Sequence, residues 1–429
     1  MPVNKAVATL QHAFIPNKFN HAGYLAVAKT RAKALHAFSL VVSIPRPQLF
    51  IGDQSCFELC DMMINEGATK VLIVTDSVLN QLGIPDKITD YLQQKGIGFH
   101  LYDGITPDPT FSVVEAGIKH SVDNNCDVIL ALGGGSVIDA AKVIAMSQAS
   151  KRKPQKLMGL LKAGKMMPLY CIPTTAGTGS EATLGAVVSD DKTHQKSLSI
   201  DPRMVPRAAA IDPVIMKGMP PHITADTGID VLTHALEAWM SVNASSETDY
   251  YAASATRGVF QYLPVAYKDG GNLKAREEMG VAAHYGGIAF NKAGLGYVHA
   301  IAHQLGAFYG IPHGRANAIV LPHILDANRD VCQHRLAALA KKTGVVNAEQ
   351  SKAEDEQLAD HLIAQVRALI DETNIDRTVK GINEADFKKI AKAASVEVRD
   401  TYSVPKYFTQ AEIIAILHNI KDLSESLSK

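Results

Sequence analysis

A chain of 429 residues is longer than one hydrophobic core usually organises, so two domains are expected. Apolar residues make up 47% of it, and Lys plus Arg equals Asp plus Glu at 43 each. That balance excludes the electrostatic footprint of a nucleic-acid binder or of a protein held on an anionic membrane, and it leaves small molecules as the expected partners.

Residues 1–47 read as an amino-terminal extension. The first twenty lack an uninterrupted apolar core, so no secretory leader is expected. Residues 25–42 have helical apolar spacing and close on Pro45 and Pro47, which suggests an appended helix or strand pair. From Leu49 the rhythm becomes regular. Residues 71–76, VLIVTD, are a short β-branched run that reads as a buried strand, and 98–104 and 127–132 look like two more. The amphipathic stretches 84–94 and 111–122 predict helices, so the alternation predicts a mostly parallel sheet covered on both faces. Asp76 ends the first of these strands. An acidic side chain there either bonds a ribose hydroxyl of NAD, repelling the extra phosphate of NADP, or caps the helix starting at Ser77.

The strand ending at Leu132 runs into Gly133, Gly134, Gly135 and Ser136 and then a helical pattern, VIDAAKVIAM. Ser136 followed by Asp139 predicts a capping box at the helix start. A strand, a glycine turn and a helix start make an anion site, and its natural occupant is a nucleotide pyrophosphate. Ile138 stands in place of the third glycine of the usual dinucleotide fingerprint and no GK[ST] follows, so this is neither that motif nor a P-loop. A second cluster, PTTAGTGSE at 173–181, follows the strand expected at 169–172. Its hydroxyls, Thr174, Thr175, Thr178 and Ser180, suit either a nucleotide or a surface loop.

After 211–221 the strand signals stop. Helices are expected at 230–239, 250–262, 276–285, 295–308, 331–342, 356–370, 384–393 and 409–423, the last opening with a capping box of Thr409 and Glu412. This switch places a domain boundary near residue 215, giving an α/β domain at 48–215 and a helical domain at 216–429. The five cysteines, Cys56, Cys60, Cys126, Cys171 and Cys332, are odd in number and contain no CxxC pair, as expected of reduced thiols in a cytoplasmic protein. No run of about eighteen apolar residues exists, so no membrane span is expected.

The helical half carries the chemistry. Asp230 and His234 are four apart, as are His299 and His303, so each pair shares a helix face. His313 follows Gly310, Ile311 and Pro312, a sequence that should end the helix and turn the backbone towards His299. One carboxylate and several imidazoles form the ligand set of a divalent transition metal with open positions. Spacing leaves open which of His299, His303 and His313 would bind. For any one histidine the competing reading is a core residue with its hydrogen bond satisfied. With the phosphate loop in one domain and the metal residues in the other, the active site is expected in the cleft between them.

Taken together, GGGSVIDAAK at Gly133, PTTAGTGSEAT at Pro173, and GIDVLTHALEA combined with GYVHAIAHQLGAFYGIPHG resemble the iron-containing alcohol dehydrogenase family, whose fold is shared with dehydroquinate synthase and glycerol dehydrogenase. The resemblance spans roughly residues 48–425. It implies a Rossmann-like nucleotide-binding domain, a helical metal-binding domain, and the ligands Asp230, His234, His299 and His313. It also implies that His303 lies beside the substrate, that Phe290 lines the substrate pocket, and that Asp76 contacts the adenosine ribose. Gly133, Gly134, Gly135 and Ser136 would hold the pyrophosphate, Thr174, Thr175 and Thr178 would line the nucleotide, and Lys196, in the turn after the strand near Val187, would reach the ribose. Three sites depart from the family's pattern: the turn Gly52, Asp53, Gln54, Ser55 has only one glycine, Lys292 follows the pocket phenylalanine, and Ser403, Val404, Pro405, Lys406 replaces an NP motif.

The chemistry implied is Lewis-acid activation of a small primary alcohol and hydride transfer to NAD, with His303 relaying the proton and Fe2+ as the metal, Zn2+ being the runner-up. A homodimer is the expected assembly. Two rival readings exist. A dehydroquinate synthase-like lyase would need basic residues clustered near the metal motifs, where few occur; a non-catalytic nucleotide-binding protein would not need four intact ligand positions.

Overall fold

The computed structural model describes residue 30 and residues 44–193 and 195–422. The helix or strand pair expected at 25–42 lies outside these residues, apart from Thr30. In chain order the first part runs β1 (Gln48–Ile51), α1 (Ser55–Asn65), β2 (Lys70–Asp76), α2 (Ser77–Gln81), α3 (Asp86–Gln94), β3 (Gly98–Ile105), α4 (Phe111–Asp123), β4 (Val128–Gly133), α5 (Gly135–Ser150), β5 (Gly159–Leu160), β6 (Leu169–Pro173), β7 (Gly185–Ser189), β8 (Lys196–Ile200) and β9 (Ala208–Ile211).

Six of these strands form one sheet in the order β1-β9-β6-β4-β2-β3, every neighbouring pair parallel. The apolar runs explain why it is buried on both sides. Along β2, Leu72 and Val74 join the core beneath α4 and α5, whereas Val71 and Ile73 join the core beneath α1 and α3. All four are fully buried, each contributing roughly 2 kcal/mol by leaving water.

The chain leaves β2 for β3 on one side and returns across it to β4, from which it continues to β6. Between β2 and β4 the strand order therefore reverses. In such sheets this is where a crevice opens beyond the carboxyl ends. The residues at those ends are Asp76, Gly133 and Pro173. A second sheet, β5-β8-β7, pairs β5 parallel and β7 antiparallel with β8.

The rest is helical: α6 (Pro213–Met216), α7 (Pro221–Met240), α8 (Ser246–Lys268), α9 (Leu273–Ala293), α10 (Tyr297–Tyr309), α11 (His313–Thr343), α12 (Asp355–Glu372), α13 (Glu384–Thr401) and α14 (Gln410–Ile420). Thr409 and Glu412 form the expected capping box, and Ile413, Ile416, Leu417 and Ile420 of α14 are buried. Helix α11 starts well before the expected 331, continuing through Pro322 because Ile319, Leu321, Ile324 and Leu325 bury its first half. Among the described residues no helix is long and apolar enough to cross a membrane.

Candidate metal centre and nucleotide crevice

Helix α7 presents Asp230, His234 and Glu237 along one buried face. Helix α10 brings His299 and His303, then ends at Gly310, whose φ of 67° is the left-handed turn that glycine tolerates. Pro312 follows, and His313 opens α11. That turn returns His313 to His299, with ring centroids 5.3 Å apart. One ligand atom each from Asp230, His299 and His313 lies within 4.8 Å of the others. Oδ1 of Asp230 stands 3.6 Å from Nε2 of both His299 and His313, and 3.8 Å from Nε2 of His234. Phe290 stacks on the His234 ring at 4.4 Å.

The electrostatics of this cluster favour a cation. Burial works against a charged Asp230, but the imidazoles of His234, His313 and His299 outweigh it and hold the carboxyl well below its usual range. Burial likewise opposes a charged His299, yet Glu237 and Asp230 raise it to about 9. Burial lowers His234 to about 4 against the pull of Asp230, and it lowers His313 well below the ordinary value. The result is an ionised carboxylate facing two imidazoles kept neutral and a third, His299, that carries a proton in the metal-free protein and would give it up on binding a divalent ion.

His303 stands apart from that set. Its ring stacks over His313 at 5.2 Å, and its Nδ1–H donates to Glu397 Oε1 at 2.7 Å. The Tyr402 hydroxyl donates to the same oxygen at 2.9 Å.

At the sheet end, the glycine turn and the hydroxyl cluster pack against each other. A Cβ on Gly134 would lie 3.3 Å from Thr175 Oγ1, and one on Gly135 would lie 2.6 Å from Thr178 Cγ2. Thr174 N donates to Gly133 O at 3.1 Å. The expected capping box is absent. Helix α5 starts at Gly135, with Gly134 at the cap position and no side-chain cap. Asp139 instead accepts from Val187 N at 2.9 Å, because β7 crosses over α5 with an unpaired amide. Ser136 is left in the first turn of α5, half-buried.

Asp76 does cap its helix: Oδ1 accepts from Val78 N at 3.0 Å and Leu79 N at 2.9 Å. Lys196 is not in a turn. Asp190 closes the β7–β8 connection early by accepting from Lys192 N and Thr193 N, so Lys196 opens β8 and pairs with Asp108 at 2.9 Å. Its charge still reaches His313, whose protonation it disfavours.

Two family models cover most of the chain: iron-containing alcohol dehydrogenase over residues 46–213, and the C-terminal part of the Fe-containing alcohol dehydrogenase family over 224–421. The chain belongs to the iron-containing alcohol dehydrogenase family. It is 36% identical to alcohol dehydrogenase 4 of Saccharomyces cerevisiae over 376 residues, which is 86% of this chain and 96% of that one. It is 33% identical to the NAD-dependent methanol dehydrogenase of Bacillus methanolicus over 376 residues, 87% of this chain and 98% of that one. The crystal structure of a 1,3-propanediol oxidoreductase superposes with a TM-score of 0.83 at 33% identity, covering 88% of this chain and 99% of that one. The chain is thus an oxidoreductase of alcohols, and the lyase and non-catalytic readings fall away.

In this alcohol dehydrogenase the motif residues are supported by partners that the motifs do not name. Glu237 accepts from His299 Nδ1 at 2.6 Å, and from Gly296 N at 2.8 Å and Val298 N at 2.7 Å at the start of α10. One carboxylate therefore caps α10 and fixes the His299 tautomer with Nε2 facing Asp230. Helical spacing carried a signal for Glu237, three after His234 on the same face. Glu397 carried none, lying 94 residues from His303.

Proposed function

We propose that Asp230, His234, His299 and His313 hold a divalent ion, ferrous iron with zinc as the alternative, and that NAD lies along the carboxyl ends of β2, β4 and β6. The substrate is a small primary alcohol or its aldehyde. The reading rests on one observation, the convergence of Asp230 Oδ1 with three imidazole Nε2 atoms, those of the buried His234 and His299 and of the partly exposed His313. Three imidazoles and a carboxylate suit iron or zinc. When bound, the ion supplies Lewis acidity that lowers the pKa of an alcohol hydroxyl towards neutrality. NAD supplies the hydride acceptor.

The chain's own residues do the rest. Gly133, Gly134, Gly135 and Ser136 offer a start of helix to the pyrophosphate, with no side chain occupying the cap position of α5. Thr174, Thr175 and Thr178 border that turn, and Asp76 and Lys196 are assigned to the ribose side. Phe290 walls the substrate pocket from its place on His234. His303 takes the alcohol's proton at Nε2, since Glu397 accepts from its Nδ1–H and fixes that tautomer. The division at 215 places the nucleotide residues in one domain and the metal residues in the other. A cytoplasmic homodimer is the proposed setting, in keeping with five free, buried cysteines.

The decisive experiment is NAD reduction with short primary alcohols and diols, on protein purified without oxygen, before and after metal removal and with Fe2+ or Zn2+ added back. Restoration by one ion identifies it. No turnover with any alcohol or aldehyde at full metal occupancy would refute the assignment.

Two variants refine it. His303→Ala should keep its metal but lower kcat ~10- to 100-fold and change its pH dependence; an unchanged pH profile would remove His303 from proton transfer. Asp76→Gly should cost the α2 cap only a few tenths of a kcal/mol. Its NADP to NAD efficiency ratio should rise about tenfold or more, since a like charge facing the 2′-phosphate is gone. A ratio that stays put would mean that Asp76 serves the helix alone.

A further inference from the structure

Asn317 lies four residues after His313 on α11 and is fully buried. Its Nδ2 stands 2.7 Å from Asp230 Oδ1, 3.3 Å from His299 Nε2 and 3.2 Å from His313 Nε2. The short contact comes from the donor end of Asn317, its Nδ2–H donating to the carboxylate oxygen of Asp230. That leaves Oδ1 of Asn317 buried without a hydrogen-bond partner. A buried unsatisfied acceptor costs about 1–3 kcal/mol, and an apolar side chain of the same shape would avoid it. The amide is thus a poor choice for folding alone, and its donor end touches three of the atoms assigned to the ion.

We propose that Asn317 is a positioning residue of the metal centre, holding Asp230 Oδ1 in its ligand orientation and thereby setting how firmly the ion is retained. The proposal rests on the metal reading above. With the imidazole nitrogens turned to the ion, the amide remains as a neutral donor to the carboxylate. Such outer contacts orient ligands, and losing one costs metal affinity ~10- to 100-fold. Helix α11 then contributes twice to the centre, through His313 itself and through the group that fixes Asp230.

The test compares the wild type, Asn317→Leu and Asn317→Asp, each stripped and reloaded with Co2+. Three readouts apply: metal release to an excess of chelator, the visible d–d absorption of the Co2+ form, and the Tm of the metal-free protein. Asn317→Leu should release the ion ~10- to 100-fold faster with an altered absorption, while its metal-free Tm equals or exceeds that of the wild type. A purely structural residue would do the opposite, so a lower metal-free Tm with unchanged release overturns the proposal. If Asn317→Leu fails to fold, Asn317→Asp decides. Its carboxylate keeps the shape but offers Asp230 no donor and repels it, so the metal-free Tm should fall and the Co2+ absorption should change; an unchanged absorption overturns the proposal. A wild type that takes up no ion refutes the metal reading itself, an outcome visible in the wild-type arm alone.

Discussion

Asp230→Ala is expected to lose its metal and to lower kcat/KM by ~10³-fold or more, equivalent to ~4 kcal/mol of transition-state stabilisation. Asp230 is buried, and its Oδ1 is the point on which the Nε2 atoms of His234, His299 and His313 converge at 3.6–3.8 Å. Without it the imidazoles face one another with no negative charge among them, and a divalent cation there would be compensated only indirectly, by Glu237 behind His299. Metal content by mass spectrometry and NADH absorbance in steady state check this together. His303→Ala is the control, because His303 pairs with Glu397 and not with Asp230. A metal-replete Asp230→Ala enzyme within tenfold of the wild type would overturn the ligand assignment.

Much of this site could be read from short-range spacing. Asp230 with His234, and His299 with His303, are helical pairs whose geometry is fixed within one turn, and Gly310 with Pro312 announces the bend that returns His313. Four strands of the main sheet were equally legible, because burial on both faces demands continuous apolar runs such as Val71 to Val74, whereas β1 and the alanine-rich β9 went unread. What escaped was decided at long range. Asp139 pairs across 48 residues with Val187 N, so the local capping rule at Ser136 lost to a tertiary contact. The small sheet rests on strands as short as Gly159–Leu160 and on the sequence KSLSI, neither of which shows strong patterning. Pro322 hid the first half of α11, although residues around it are buried enough to sustain the helix. Asn317 stands at helical spacing from His313, but an asparagine carries no weight in a search for metal ligands.

Gly179→Ala should destabilise the protein by ~3 kcal/mol or more, a large share of the roughly 5–15 kcal/mol that a typical domain has. Two costs combine. Gly179 has φ of 60°, where an L-residue pays for its Cβ, and that Cβ would lie 2.5 Å from Ala283 O and 2.8 Å from Gly287 Cα. Both neighbours are backbone of α9, so neither can swing aside. The contact is reciprocal, since a Cβ on Gly287 would lie 2.6 Å from Gly179 O. Here the loop carrying Thr174, Thr175 and Thr178 touches the helix carrying Phe290, beside the buried Glu181–His284 pair at 3.1 Å. Forcing the two backbones apart should therefore also raise the KM for NAD, by shifting that loop relative to the residues around Asp230. Gly344→Ala isolates the conformational cost, because Gly344 has φ of 74° and ψ of 15°, close to Gly179, with nothing within 4 Å of a Cβ. Denaturant midpoints of the two variants measure the difference directly. If Gly179→Ala loses no more stability than Gly344→Ala and binds NAD normally, the contact between the loop and α9 positions neither of them.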